Sequence, residues 1–502
     1  MDLFANLALG MATALKPMNL AFALVGSLIG TLIGVLPGIG PLATLSMLLP
    51  ITFYLEPTTA LIMLSAIYYG AQYGGSTTAI LVNLPGESSS VVTCIDGHQM
   101  ARQGRAGSAL AVAALGSFFA GCVATIVIAA LVTPLTALAV SFGAAEYFSL
   151  MVLGLVAAVV MARGSVAKAL AMIVIGLLLG LVGTDIHTGL QRFTFGAADL
   201  FDGIDFVAIA VGVFGFGSII ADLEKGEDAQ TVSVLNAKIQ RLWPTREDFR
   251  LAWPASVRGT ILGCILGVLP GGGAVLSSFA AYSLERKLAK DPTRFGKGAV
   301  EGVAGPESAN NAGAQTAFIP MLTLGIPPNA VMAVMIGAMM IHGIRPGPEV
   351  LDQRPELFWG LIASMWIGNA MLVVINLPLI GVWVRLLRLP YRLLFPAILL
   401  FSSIGVYSVH NSTFEVVLAA GFGVLGYVLF KLGCEPAPLA LGFVLGPLLE
   451  EKLRTAMLLA RGNPMTFLQR PISAGLLLVA AIMLAAVLLP KIRKGRDEAF
   501  QE

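Results

Sequence analysis

This 502-residue sequence is poor in charge: 12% of it is Asp, Glu, Lys or Arg, about half the roughly 25% of a soluble domain. A soluble chain of this length cannot cover its surface with so few charges, so a water-soluble globule is excluded. Cysteine is scarce too. Cys94, Cys122, Cys264 and Cys434 are far apart, three of them in apolar runs, and with no CxxC or metal spacing they read as small apolar fillers. The four histidines, His98, His187, His342 and His410, fall in separate segments without HExxH spacing. Asp96, Asp185, Asp202 and Asp205 form no GxGD or DDxxD arrangement, which leaves an intramembrane protease or lipid transferase without its reacting groups. A Walker A loop is missing as well. The net charge of +2 carries no nucleic-acid signal, because the basic residues lie in short loops. No secretory signal is expected, with Asp2 in the head region and no small-residue cleavage pattern after it.

What the chain has is apolar length. It is 57% hydrophobic, with a mean hydropathy of +0.85. Runs such as "LAVAALGSFFAGCVATIVIAALV" (110–132), "EVVLAAGFGVLGYVLFKLG" (415–433) and "ISAGLLLVAAIMLAAVLLP" (472–490) have the length of a membrane span. Their number predicts an all-α polytopic membrane protein with about eleven or twelve transmembrane helices. The strands of an outer-membrane barrel would instead be short and alternating.

The longest polar interval, 222–258, is expected to be an extramembrane linker between a first repeat (1–221) and a second (259–502). "GSLIGTLIGVLPGIG" (26–40) matches "GTILGCILGVLPGGG" (259–273), with Gly at three successive four-residue steps before the proline. Glycines in that rhythm permit close helix contact, and packing is the reading for Gly26, Gly30, Gly259 and Gly263. "GGSTTAILVNLPG" (74–86) pairs loosely with "GAQTAFIPMLTLGIP" (313–327), aligning Thr78 with Thr316. The loop after the first Gly-Pro motif, "ITFYLEPTT", has no Lys or Arg; the loop after the second, "ERKLAKDPTRFGKG", has five. Short basic loops stay cytoplasmic, so the halves are expected to be inverted repeats of the kind secondary transporters use. "HQMARQGR" (98–105), "MARGSVAK" (161–168) and the tail "KIRKGR" (491–496) are further cytoplasmic candidates.

Proline and glycine inside a membrane segment break its helix, and irregular backbone at that depth must be buried in protein or line a cavity. Pro37, Gly38 and Gly40 form one break, and Pro270, Gly271, Gly272 and Gly273 the other. Exposed helix N-termini can hold an anion and exposed carbonyls a cation. Beside the breaks stand neutral polar clusters: Gln72, Ser76, Thr77, Thr78 and Asn83 in the first half, and Ser308, Asn310, Asn311, Gln315, Thr316 and Thr323 in the second. Such groups suit carboxylate oxygens or a partly dehydrated Na⁺; a hydroxyl that bonds back to its own helix is the plainer alternative. Neither cluster has an Arg or Lys, so helix ends and a bound cation must supply any positive field. Glu87 and Glu307 border the clusters, either as ordinary loop-edge charges or as carboxylates that ligate sodium or carry a proton. "GTDIHTGLQRFTFG" (183–196) reads as an ordered external or re-entrant loop, in which Asp185, His187 and Arg192 are gate or partner-contact candidates.

"GVLPGIGPLATLSMLLP", "YYGAQYGGSTTAILVNLPGE", "DGHQMARQGRAG", "GPESANNAGAQTAFIPMLTLGIPP" and "HGIRPGP" together resemble the large membrane subunit (TctA) of tripartite tricarboxylate transporters, over roughly residues 15–490. The resemblance implies a multi-pass inner-membrane permease, not an enzyme, that needs no cofactor and no ATPase. It implies two partners, a small four-helix membrane subunit and a periplasmic solute-binding protein that delivers a citrate-like carboxylate. It also implies uptake driven by an ion gradient, with Na⁺ expected and H⁺ as the alternative. A likeness to elevator-type carboxylate carriers suggests hairpins and broken helices meeting in a mobile domain. On that pattern substrate and ions lie among 38–40, 76–83, 271–273 and 310–323. A stand-alone proton-coupled organic-anion transporter is the competing reading.

Overall fold

The computed structural model describes residues 3–36, 40–162, 165–185, 188–224, 243–269, 273–386 and 391–488. In chain order the first helices are α1 (Leu3–Ala14), α2 (Pro17–Val35), α3 (Pro41–Thr52), α4 (Pro57–Val82), α5 (Val91–Arg102), α6 (Ala106–Val140), α7 (Ala144–Met161) and α8 (Val166–Gly180). A two-stranded ribbon follows, β1 (Gly183–Thr184) antiparallel to β2 (Gln191–Arg192). Then come α9 (Phe206–Ile209), a π-helix (Ala210–Phe216) and α10 (Gly217–Glu224). The second half holds α11 (Arg246–Val268), α12 (Gly273–Leu288), α13 (Glu301–Thr316), α14 (Phe318–Leu324), α15 (Ala330–Ile341), α16 (Glu349–Gln353), α17 (Pro355–Asn376) and α18 (Ile380–Leu386). It closes with α19 (Tyr391–His410), α20 (Thr413–Lys431), α21 (Ala437–Leu459), α22 (Thr466–Gln469) and α23 (Pro471–Leu488).

The chain is an all-α polytopic membrane protein. Among the described residues, five helices are long and apolar enough to cross a bilayer, and eight more of 10–17 residues are apolar but shorter. The 222–258 interval divides: 222–224 complete α10, 246–258 begin α11, and 225–242 lie outside the described residues. The basic tail 491–496 lies outside them as well.

Both Gly-Pro motifs interrupt their helices. The first helix stops at Val35 and α3 starts after Gly40; the second stops at Val268 and α12 starts at Gly273. Pro37, Gly38, Pro270, Gly271 and Gly272 are outside the described residues.

Each break turns a helical hairpin. Lys16, just before α2, pairs with Glu356 on α17, and Thr31 further along α2 bonds to Asn376, so these two helices run the same way. Thr58 at the start of α4 meets Gly360, again at the Lys16–Glu356 end. The intervening α3 therefore brings the chain back to the end from which α2 set out. In the second half Arg258 on α11 holds Glu285 on α12 at 2.5 Å, folding α12 back along α11.

The two hairpins point in opposite directions. Along α6, Arg105 pairs with Asp248 and Gly116 abuts Ser256, so α6 and α11 run together. Against α17, Cys122 on α6 accepts from Trp366 while Leu110 and Ser117 sit by Asn376 and Ile380, so α6 and α17 are antiparallel. With α2 parallel to α17 and α11 parallel to α6, α2 and α11 oppose each other.

Each hairpin is joined to the next long helix by a glycine seam. A methyl on Gly34 would strike the Ala71 carbonyl of α4, and one on Gly267 the Gly313 carbonyl of α13. Gly26, Gly30, Gly259 and Gly263 lie on the same seams, the close approach that small residues allow between membrane helices. The two seams match when Gly74 is set against Thr316, one helical turn from the Thr78–Thr316 alignment. Trp359, Tyr69, Phe318 and Phe358 are the largest fully buried side chains around these helices.

Candidate functional site

Both hairpins reach the segment after α4. Thr78 donates to the Val35 carbonyl at 2.6 Å, and Gly86 presses on the Gly34 carbonyl, so the end of α2 lies against α4 and Gly86. From the other half, α12 packs on the 3₁₀ turn Ser88–Ser90. Gly273, the first residue of α12, has φ +51° and lies against Asn329; the left-handed backbone there explains a glycine. The helices that begin after Gly40 and at Gly273 start with free N–H groups and partial positive charge.

Beside that segment lies a buried polar cluster made by both halves. Ser76 on α4 donates to Glu307 Oε2 at 2.5 Å, and Thr93 on α5 donates to Glu307 Oε1. Ser89 donates to Glu87 Oε1, and the Asn310 amide reaches the same oxygen at 3.4 Å. The Gln72 amide, turned to donate, lies 2.7 Å from Glu87 Oε1 and 2.5 Å from Asn310 Oδ1. Glu307 is wholly buried and Glu87 is 9% exposed. Their partners among the described residues are hydroxyls and amides, all neutral. Two carboxylates held this way bind a cation or a proton far more readily than they tolerate a bare charge.

The structure divides the residues singled out from sequence. Ser76 and Asn310 are in the cluster. Thr77 lines a small cavity with Tyr73, Ser76, Ser117 and Asn376. Asn311 and Gln315 point instead to α6, where they meet Ser117 at 2.7 Å and Thr125 at 3.0 Å. Thr316 and Thr323 bond to carbonyls of their own helices, Ala312 and Ile319, as Thr78 does across the seam. Asn83 is exposed, with φ 60° and ψ 29°, and caps the C-terminus of α4. Gly40 caps the start of α3, with open space where a side chain would stand. Glu87 and Glu307, read as border charges, are central. The hint in the sequence is that each stands in a Gly-, Ser- and Asn-rich stretch without a neighbouring Lys or Arg.

The "DGHQMARQGRAG" stretch is a fastener between the halves. Asp96 accepts from the Gly298 and Ala299 amides at 2.8 Å each and from Tyr282 at 2.9 Å. Gln103 donates to the Lys297 carbonyl, and Arg105 pairs with Asp248. The 183–196 loop is a β-ribbon tied to α21: Arg192 pairs with Glu450 at 2.8 Å, and Asp185 with Arg454 at 3.1 Å. Glu450 holds the Arg192 guanidinium above its ordinary pKa. His187 lies outside the described residues.

The model of the tripartite tricarboxylate transporter TctA family matches residues 20–441, a stretch that includes both hairpins and the cluster. The chain belongs to the TctA family. Membership makes it the large membrane subunit of a tripartite transporter. Over all 502 residues it is 61% identical to an uncharacterized 52.8 kDa protein in the TAR-I ttuC' 3'region of Agrobacterium vitis, covering 99% of that protein. A second Agrobacterium vitis protein, from the TAR-II ttuC' 3'region, is 60% identical over 240 residues, which is 48% of this chain and 99% of the relative. No solved structure matches.

Proposed function

We propose that this TctA-family subunit carries carboxylates of the citrate class across the bacterial inner membrane, driven by a cation gradient, with Na⁺ as the coupling ion. A periplasmic binding protein delivers the substrate, and a small four-helix subunit completes the membrane complex. The observation that carries the reading is the convergence of two oppositely directed hairpins on residues 86–90 and on the polar cluster beside them. Opposed hairpins in matched halves support an inverted repeat, in which one set of helices rocks or slides past a fixed frame to expose a central site to each face in turn. The basic loops at 286–297 and around Arg105 lie together, which supports a cytoplasmic position for the end of the molecule that carries them.

The carboxylate is held without an Arg or Lys. Free N–H groups where α3 and α12 begin, at Gly40 and Gly273, supply donors and partial positive charge. Neutral amides and hydroxyls such as Ser76 and Asn310 complete its shell, and a bound cation offsets the substrate's charge. Coupling follows from this electrostatics, because neither ion is held well alone.

The test is reconstitution in liposomes with the cognate four-helix subunit and binding protein. Labelled citrate should accumulate only when the binding protein is present and external Na⁺ exceeds internal Na⁺. Equal accumulation without the binding protein favours the stand-alone exchanger. Full accumulation with choline in place of Na⁺ rules out sodium.

A further inference from the structure

One residue away from the Glu307 carboxylate lies a cavity whose size limits what it can hold. It has room for about one water-sized particle, too little for a tricarboxylate. Tyr73, Ser76, Thr77, Ser117 and Asn376 form its polar side, and aliphatic side chains of α6 with Leu377 and Ile380 form the rest. Asn376 is 95% buried and donates through its amide nitrogen to Thr31, but its Oδ1 has no hydrogen-bond partner among the described residues. A buried amide oxygen without a donor, on a residue that lines a space of that size, suits a small electropositive guest. Ser76 both lines the cavity and donates to Glu307, so one residue separates the cavity from the carboxylate.

The second carboxylate is held by neutral groups as well. The Gln72 amide donates to Glu87 Oε1 and Asn310 Oδ1, and the Asn310 amide nitrogen faces the same Glu87 oxygen. Among the described residues no Lys or Arg pairs with either glutamate, so a bound cation or a proton has to offset their charge.

We propose that Glu307 and Glu87 bind the monovalent coupling cation, which reaches Glu307 from the Asn376 cavity past Ser76. The site joins α4, α5 and α13, and with them both halves of the chain. Loading the cation thus locks the helices that carry the two hairpins to each other. This rests on the cation-driven reading above and assigns it to two side chains.

The test titrates NaCl against choline chloride, at constant ionic strength and fixed pH, into the purified full chain and reads the thermal unfolding midpoint. Wild type is expected to show a sodium-dependent rise. E307Q and E87Q are each expected to lose it, whereas E356Q, at the exposed pair with Lys16, keeps it. If E307Q fails to fold, E307D keeps the charge with a shorter reach and is expected to raise the half-saturating sodium concentration at least tenfold. A proton bound in the same place gives no sodium response. It gives instead a wild-type midpoint that rises as pH falls, because a buried carboxyl is more stable protonated, and E307Q abolishes that rise. A sodium or pH response that survives in both Glu→Gln variants overturns the assignment and leaves cation-driven uptake standing. A wild type that responds to neither overturns the site, and cation-independent uptake by the reconstituted complex overturns the coupling itself.

Discussion

Ser76 on α4 donates a 2.5 Å hydrogen bond to Glu307 on α13, across 231 residues of sequence and between the two halves of the chain. Neither residue is exposed to solvent by more than a few per cent. In a protein with so few charges, a wholly buried carboxylate is a candidate functional element rather than a filler. Removing its donor should be felt at once. Ser76→Ala is expected to destabilise the folded chain by about 1–3 kcal/mol, the range for a hydrogen bond to a charged group, read as a lowered unfolding midpoint in detergent. No change would mean that Glu307 does not depend on Ser76.

The first Gly-Pro motif contains glycines of two kinds. Gly34 lies on the α2–α4 seam against the Ala71 carbonyl, whereas Gly40 has open space around it and an ordinary negative φ. Gly34→Val should cost about 1–3 kcal/mol through overpacking and reduce the folded fraction in size-exclusion chromatography. Gly40→Ala should leave the folded fraction unchanged. Equal losses would contradict the seam.

Asp96 is wholly buried and accepts three hydrogen bonds from the second half of the chain. Asp96→Ala would leave the Gly298 and Ala299 amides without a partner, at about 1–3 kcal/mol for each stranded group. The variant should melt well below wild type, and Asp96→Asn, which keeps one acceptor oxygen, should fall between the two.

Polar residues close together in sequence separate by role. Asn310→Ala removes a donor to Glu87 and should lower binding-protein-dependent uptake at least tenfold with the chain still inserted. Asn83→Ala changes an exposed helix cap and should leave uptake within about twofold, at a stability cost of up to ~1 kcal/mol for the left-handed backbone. Initial rates of labelled citrate uptake, normalised to inserted protein, compare the two.

How far these features can be read from sequence depends on the distance over which each is decided. The breaks are local: proline with flanking glycines cannot continue a helix, and α2 and α11 stop where the motifs stand. The seams are local too, because glycine every fourth residue puts bare backbone on one side of the helix. The span count is less direct, since hairpin arms return to the side they came from and leave many short apolar helices beside five long ones. The cluster is decided by contacts across the whole chain. Nothing next to Glu307 announces Ser76 or Thr93, and nothing next to Glu87 announces Asn310. Hydroxyl density misleads in the other direction, because Thr78, Thr316 and Thr323 are satisfied by backbone carbonyls. Aligning Thr78 with Thr316 compares side chains, whereas the packing follows the glycine seams and sets the match one turn away.

The opposed hairpins are tested most directly by asking which face of the membrane each one comes from. In a chain whose four native cysteines have been replaced, Glu56→Cys sits in the turn after the first hairpin and Lys290→Cys in the turn after the second. Intact cells treated with a membrane-impermeant maleimide should show labelling at position 56 and none at 290 until the membrane is opened. Equal labelling at both positions in intact cells would place the two turns on the same face, and a site built between opposed hairpins would be ruled out.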